Sequence, residues 1–164
     1  MSNYVLTNPS SVPTIMEIAF KVDDPISCKA CWILEFTAKE HLPYLFPYMD
    51  TFSDNISLVH LDPAVRPMAK ICEYLTKSYF QSRNSQTCEA INEKHLESIT
   101  SACFDWLIGN HKVAAQAYSM TSLLLLGRKF DWIHPELRLI LEQNYQHGSA
   151  AYKARARITL AKLK

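Results

Sequence analysis

The stretch DPAVRPMAKICEYL, Asp62–Leu75, decides the fold. Aspartate followed by proline is a helix-start signal. Asp62 can accept backbone N–H bonds as an N-cap, and Pro63 suits the first helical position, where its missing N–H costs nothing. Val65, Ala69, Cys72 and Thr76 then share one face, with Met68, Ile71 and Leu75 beside them. That spacing is the apolar stripe of a helix laid on a core. Pro67 removes the first regular backbone bond, so the spacing predicts either a start nearer Arg66 or a loose first turn.

Working outward, the same pattern fills the chain. A first helix is expected over about Ser10–Val22, with Ile15, Ile18, Ala19 and Val22 inward. Asp23-Asp24-Pro25 repeats the punctuation of Asp62-Pro63, and a second helix follows over roughly Ile26–Lys39. His41–Ile56 reads as a third helix, with Pro43 in its first turn and Pro47 kinking it or delaying its regular start. The Asp62 helix, the fourth, ends near Phe80. The polar run QSRNSQTCEA, residues 81–90, is a surface loop. Asn92-Glu93 opens a fifth helix, which Gly109-Asn110 stops in the manner of a left-handed C-cap. Lys112–Leu126 is apolar around most of its circumference, which marks the buried centre of the fold. Pro135 opens a seventh helix, closed by Gly148, and Ser149 caps an eighth that runs to Lys164.

Length and composition bound the class. At 164 residues the chain is read as one domain, 1–164, long enough to bury a core. Three glycines are too few for a turn-rich β protein or a glycine-rich phosphate loop. Net charge is +1, so no global field points to nucleic acid or membrane. Five unpatterned cysteines and an N-terminus without a signal-like segment point to reduced thiols and a cytoplasmic setting. The uncharged run Val113–Gly127 is too short and too polar to span a bilayer.

The helices recur with a period. Asp24 to Asp62 is 38 residues and Gly109 to Gly148 is 39, while the middle step, Asp62 to Asn110, is 48 because it carries the 81–90 run. Val65/Ala69, Val113/Ala117 and Tyr152/Ala156 take equivalent slots. Asp-Pro, then Val-Arg, then a small residue three positions on resembles the second-helix motif of HEAT repeats, whose units run roughly 40–47 residues. The resemblance implies an all-α fold, a short right-handed α-α superhelix (solenoid) of about four HEAT-like helix pairs, near 10–39, 42–80, 92–127 and 134–164. The Val-Arg pair is absent from the other three units, which match in period and apolar slots only. It also implies that the second helix of each pair lines the concave surface.

Candidate chemistry is sparse. Cys28-Lys-Ala-Cys31 has CxxC spacing, but zinc would need two more soft ligands and a thioredoxin-like site would need a βαβ frame. Two packing residues on one helix face is the better reading. Six scattered histidines form no HExxH pattern. Phe-Asp-Trp occurs at 104–106 and again at 130–132, a pairing that resembles the Trp and Asp groove of HEAT-like alkylpurine DNA glycosylases. Packing accounts for it more simply. Gly148-Ser-Ala-Ala-Tyr-Lys153 resembles the signature loop of the fumarase/adenylosuccinate lyase superfamily. Short helical proteins similar to this chain in EYL, FDW and AAYKARAR are sometimes called adenylosuccinate lyases. The motif does not support that name here: its second Ser is Ala150, and its Met and Asn are absent.

Charge is uneven. Residues 149–164 carry Lys153, Arg155, Arg157, Lys162 and Lys164 and no acid, whereas residues 1–60 carry three bases and seven acids. Part of this complements the helix dipole. On concave second helices, Arg66, Lys70, Lys112, Tyr152, Arg155 and Arg157 are the expected partner contacts. The sequence therefore reads as a non-catalytic protein-interaction module with no catalytic residue, no metal and no cofactor. Its partner is a protein and not a membrane, and the last helix offers Ile158, Leu160 and Leu163 to a second copy. The alternatives are a nucleic-acid-binding HEAT-like protein and an enzyme of lyase or glycosylase type.

Overall fold

A computed structural model describes residues 1–163; Lys164, the last of the expected basic cluster, lies outside them. Every regular element among the described residues is helical. In chain order these are α1 (Ser2–Thr7), α2 (Val12–Ala19), α3 (Ile26–His41), α4 (Met49–Asn55), α5 (Asp62–Phe80), α6 (Ser85–Ala90), α7 (Glu93–Ile108), α8 (Val113–Leu126), α9 (Ile133–Tyr145) and α10 (Ala150–Lys162). No helix among them is long and apolar enough to cross a membrane.

The long helices alternate between two layers. α3, α5, α8 and α10 pack side by side in that order. α2 covers α3, α7 covers α8, and α9 packs against both α8 and α10. α8 touches α5, α7, α9 and α10, the central place that its all-round apolarity predicts. Met68, Ile71 and Leu75 of α5 meet Leu96 and Ile99 of α7 and Leu123 and Leu126 of α8 in one continuous core, all of them fully buried.

Small hydroxyl residues let the helices of the inner layer approach. Thr37, Thr76, Ser119 and Thr159 are buried. Each returns its hydroxyl to the carbonyl four residues back, at 2.8–3.0 Å. The polar atom is satisfied within its own helix, so its burial costs little.

The Asp62 element forms as read, with one difference at its start. α5 runs unbroken through Pro67, and the Ala64 and Val65 amides both bond the Leu61 carbonyl. Leu61, extended at ψ 125°, is the N-cap, so Asp62 is the first helical residue. Its carboxylate still favours the helix dipole but reaches sideways to His111 Nδ1, 2.8 Å away, in the turn before α8.

Proline explains the main departure. The single helix expected over His41–Ile56 is instead a 3-10 segment at Leu42–Tyr48, then α4, then a 3-10 turn at Ile56–Leu58. Pro43 and Pro47 remove two donors in adjacent turns, and the chain reverts to tighter i→i+3 bonding until both are passed. The 81–90 run is not all loop, because Asn84 caps the short α6 by accepting from the Thr87 amide at 3.1 Å. Residues 2–7 add α1, which the pattern did not announce.

The glycines work differently from expectation. Gly109 ends α7 at φ −67° and ψ 166°, extended rather than left-handed. Gly127 has ordinary helical angles, φ −64° and ψ −11°, and is needed for proximity: a β-carbon there would lie 1.9 Å from His134 Cδ2. The His134 ring lies over it and donates from Nε2 to the Leu124 carbonyl at 2.8 Å.

α7 begins with a reciprocal cap whose geometry sets a tautomer. Asn92 Oδ1 accepts from the His95 amide at 3.0 Å, and His95 Nδ1 accepts from the Asn92 amide at 3.1 Å. With Nδ1 accepting, the ring proton sits on Nε2 and is donated to Asp50 Oδ1 at 2.6 Å. That hydrogen bond is the chief reason Asp50 ionises below the ordinary carboxylate range, with the charge of Lys94 adding to it. A carboxyl whose pKa falls on folding stabilises the fold above its unfolded pKa and loses that contribution as pH drops through the folded value. Thermal melts of wild type and Asp50→Asn should therefore differ most above about pH 5 and converge as pH falls below about 4. A gap that does not change with pH would remove the bond's role.

Candidate functional site

The outward face of α3, α5, α8 and α10 carries the densest set of interacting polar and aromatic side chains. On α5, residues four apart stack along one stripe, which aligns Arg66, Lys70, Glu73/Tyr74 and Lys77. α3 contributes Trp32 and Glu35 from one side, and α8 contributes Tyr118 from the other.

These side chains lock together. The Arg66 guanidinium carbon lies 4.5 Å from the Trp32 ring centroid and 6.0 Å from that of Tyr118. Arg66 Nη1 is 3.4 Å from Glu35 Oε2. Lys70 Nζ lies 4.4 Å from the Tyr118 ring centroid and 5.1 Å from that of Tyr74. Glu73 Oε1 holds both Lys70, at 3.1 Å, and Lys77, at 2.7 Å. Each cation thus has a carboxylate on one side and an aromatic face or open water on the other. Trp32 remains 46% exposed despite its partner.

Burial raises the Glu35 carboxyl above its ordinary range, and Arg66, Lys70 and Lys39 hold part of that shift back. The Tyr74 phenol is raised by burial first and then by the Glu35 and Glu73 charges. Glu73 is only 2% exposed, and its Oε2 is buried without a hydrogen-bond partner. A carboxylate in that position survives because two ammonium groups hold its other oxygen.

The expected contact residues divide into groups. Arg66 and Lys70 sit together in this cluster. Arg155 lies further along the same face, in a hollow of about 270 Å³ that it shares with Lys77, Arg128 and Lys162. Lys112 is exposed at the N-cap of α8. Tyr152 is buried at the start of α10, beside Asn144 but outside hydrogen-bond geometry, and burial raises its phenol. Arg157 is exposed, two residues and so roughly 200° around α10 from Arg155. The structure therefore brings Arg66, Lys70 and Arg155 to one face and places Lys112, Tyr152 and Arg157 elsewhere.

Sequence reasoning missed Trp32, Glu35, Glu73, Lys77, Tyr118 and Arg128. The Lys70-Glu73-Lys77 spacing of three and four residues was a readable signal for one triad. Tyr118 gave none, because only the packing of α8 against α5 turns it toward Arg66.

The other motifs resolve as follows. Cys31 is buried, with Sγ 3.8 Å from the Ala19 carbonyl, while Cys28 is half-buried. Burial first, then the neighbouring Cys28, pushes the Cys31 thiol up to about 12, the opposite of a redox-active thiolate. Among the described residues no group of three His, Cys, Asp or Glu side chains is placed to hold a metal. The two Phe-Asp-Trp segments meet in space, where Phe104 stacks on Trp132 with centroids 5.5 Å apart. With Phe130, Glu97 and Asp105 they edge a hollow of about 430 Å³ on the outer layer. Trp106 of the first segment is core, and its indole N–H donates to the Val59 carbonyl at 3.1 Å.

No protein-family model matches the chain, and neither does any curated protein or solved structure with which it was compared.

Proposed function

We propose that the chain is a non-catalytic protein-interaction module, built as a short HEAT-like stack of helix pairs, that docks a partner on the face formed by α3, α5, α8 and α10. The observation that carries this reading is the row Trp32, Arg66, Tyr118 and Lys70, drawn from three helices, with Trp32 exposed and the other three half-buried. Trp, Arg and Tyr are the side chains that most often dominate binding energy at interfaces. Here Glu35 and Glu73 already hold the two cations in place, so little side-chain freedom is lost on docking. Side-by-side packing of alternate helices supports the repeat architecture. The five unpatterned cysteines support a reducing, cytoplasmic setting.

The test is an affinity capture with and without nuclease, comparing wild type with Trp32→Ala/Arg66→Glu. A specific protein that survives nuclease and binds the variant at least about tenfold more weakly supports the reading. Equal capture by the variant overturns it. Material released by nuclease would replace it with a nucleic-acid interface, and then binding should fall steeply with salt.

A further inference from the structure

The hollow beside the Trp32–Arg66 cluster has a composition that docking of an ordinary protein segment does not explain. It lies between the C-terminal halves of α5, α8 and α10, so these three helices run in the same direction and end along one edge. Lys77 and Gln81 line it from the end of α5, Arg128 from just beyond α8, and Arg155 and Lys162 from positions two turns apart on α10. Among the described residues no carboxylate lines it.

The simplest account of these cations is helix capping. Arg128 does this in part, since its Nη1 donates to the Phe80 carbonyl at the end of α5, 3.3 Å away. The amounts do not balance, however. Three helix C-termini present together roughly one and a half negative charges. Glu73 adds at most one more, and it already divides its Oε1 between Lys77 and Lys70. Four cations exceed that total, and one to two positive charges are left uncompensated. Arg155 and Lys162 have no acidic partner among the described residues.

A hollow of about 270 Å³ lies at the small end of ligand-sized cavities, which suits a compact group. Two arginines and two lysines lining one small hollow supply the donor types that suit a tetrahedral oxyanion. Arginine binds it through paired N–H groups, and lysine acts as a point charge.

We propose that Lys77, Arg128, Arg155 and Lys162 form a binding site for a phosphoryl dianion. The group is either free, as phosphate or diphosphate, or displayed on a larger molecule. Gln81 supplies an uncharged amide donor at the rim. The site goes beyond the protein-docking reading and stands without it, because its anion-facing side chains exclude Trp32 and Arg66.

The experiment is calorimetric titration of the full chain with pyrophosphate at about 0.15 M ionic strength, where distant charges are screened, followed by a phosphoserine peptide and its unphosphorylated twin. Wild type should bind pyrophosphate saturably, with Kd below about 1 mM. Arg155→Ala/Lys162→Ala should weaken that binding at least about tenfold. Arg157→Ala, which removes a cation from the same helix outside the pocket, should change it less than about twofold. Trp32→Ala/Arg66→Glu should leave it unchanged, so the docking surface and the anion site can fail separately. Binding of the phosphopeptide but not its twin assigns a displayed phosphoryl group; binding of pyrophosphate alone assigns a free anion. Either result supports the site. Lack of saturation by pyrophosphate, or equal loss in the Arg157→Ala control, overturns it. Trp32, Arg157 and Lys162 are exposed and Arg66 and Arg155 half-buried, and a melting temperature near that of wild type confirms that each variant is folded.

Discussion

Replacing Trp106 by alanine should destabilise the protein by about 3–5 kcal/mol, the range for removing a large aromatic from a closed core. Trp106 is 2% exposed near the end of α7 and is among the largest side chains of the core. Domains of this size have only about 5–15 kcal/mol of stability in total, so the variant will be close to unfolding at ambient temperature. The indole N–H makes a separate contribution. It donates to the carbonyl of Val59, a residue 3% exposed in the segment between α4 and α5. Trp106→Phe keeps most of the packing but strands that carbonyl, which should cost about 1–3 kcal/mol. Urea unfolding of the three proteins orders them: wild type, then Phe, then Ala. A loss below about 1 kcal/mol for alanine would mean that the surrounding helices collapse into the vacated space and that α7 is less rigid than its contacts suggest.

Gly127→Ala should reverse the usual sign of a glycine-to-alanine change. The backbone at Gly127 is helical, φ −64°, and alanine in such a conformation ordinarily stabilises a protein by about 0.4–1 kcal/mol. Here the new methyl would lie 1.9 Å from His134 Cδ2 and 2.2 Å from Nε2. The imidazole must swing away and give up its bond to the Leu124 carbonyl. Overpacking of this kind costs about 1–3 kcal/mol, which outweighs the backbone gain. A background without the ring isolates the cause. In His134→Ala, the further change Gly127→Ala should be neutral or stabilising, so the two substitutions couple strongly and with opposite sign to the single effect. Thermal or urea melts of the four proteins close the cycle. A destabilisation that persists without His134 would place the conflict in the backbone instead.

How much of this was legible depends on where each cause lies. The end and inner face of α5 could be read, the face from the stripe between Val65 and Thr76, but its start was only approximate: Leu61 is the cap, and the helix runs from Asp62 through Pro67. The apolarity of residues 112–126 around most of the circumference likewise announced α8 as central. Asn92 and Ser149 act as the caps their side chains predict. The failures share a different cause. The break at 42–58 comes from two prolines acting in adjacent turns, where the sequence was read as one helix with only a kink or a delayed start at Pro47. Gly109 was read for left-handed angles, but it is crowding that selects glycine there: the Asp105 carbonyl and the His111 ring each lie 2.9 Å from the place of a β-carbon, and the His134 ring crowds Gly127 more closely still. The candidate site divides in the same way. Arg66 and Lys70 are four residues apart on one helix and could be placed together. Trp32 and Tyr118 complete their surroundings from helices 34 and 52 positions away along the chain, a distance over which only packing sets register. On α10 the sequence could not decide whether Arg155 or Arg157 faces α8. Thr159 and Ala156 settle it, because the buried stripe they form turns Arg155 toward the shared face and Arg157 away.

The order in which the helices pack also governs how the molecule comes apart. The principal contacts join near neighbours along the chain: α2 with α3, α3 with α5, α5 with α8, α8 with α10. No principal contact ties the first helices to the last. Loops that close over short separations cost little entropy, which favours rapid formation from several starting points. Opening follows the same logic in reverse. α5 and α8 are held on several sides at once, whereas α1, α2 and α10 have fewer neighbours to lose. Amide protection should therefore be deepest along α5 and α8 and decline toward both ends, with the terminal helices exchanging through partial openings that leave the middle intact. The face that gathers Trp32, Arg66 and Tyr118 spans this gradient. Whatever bridges α3 to α8 across it would tie a looser end to the firm centre, and would register as slower exchange in α3.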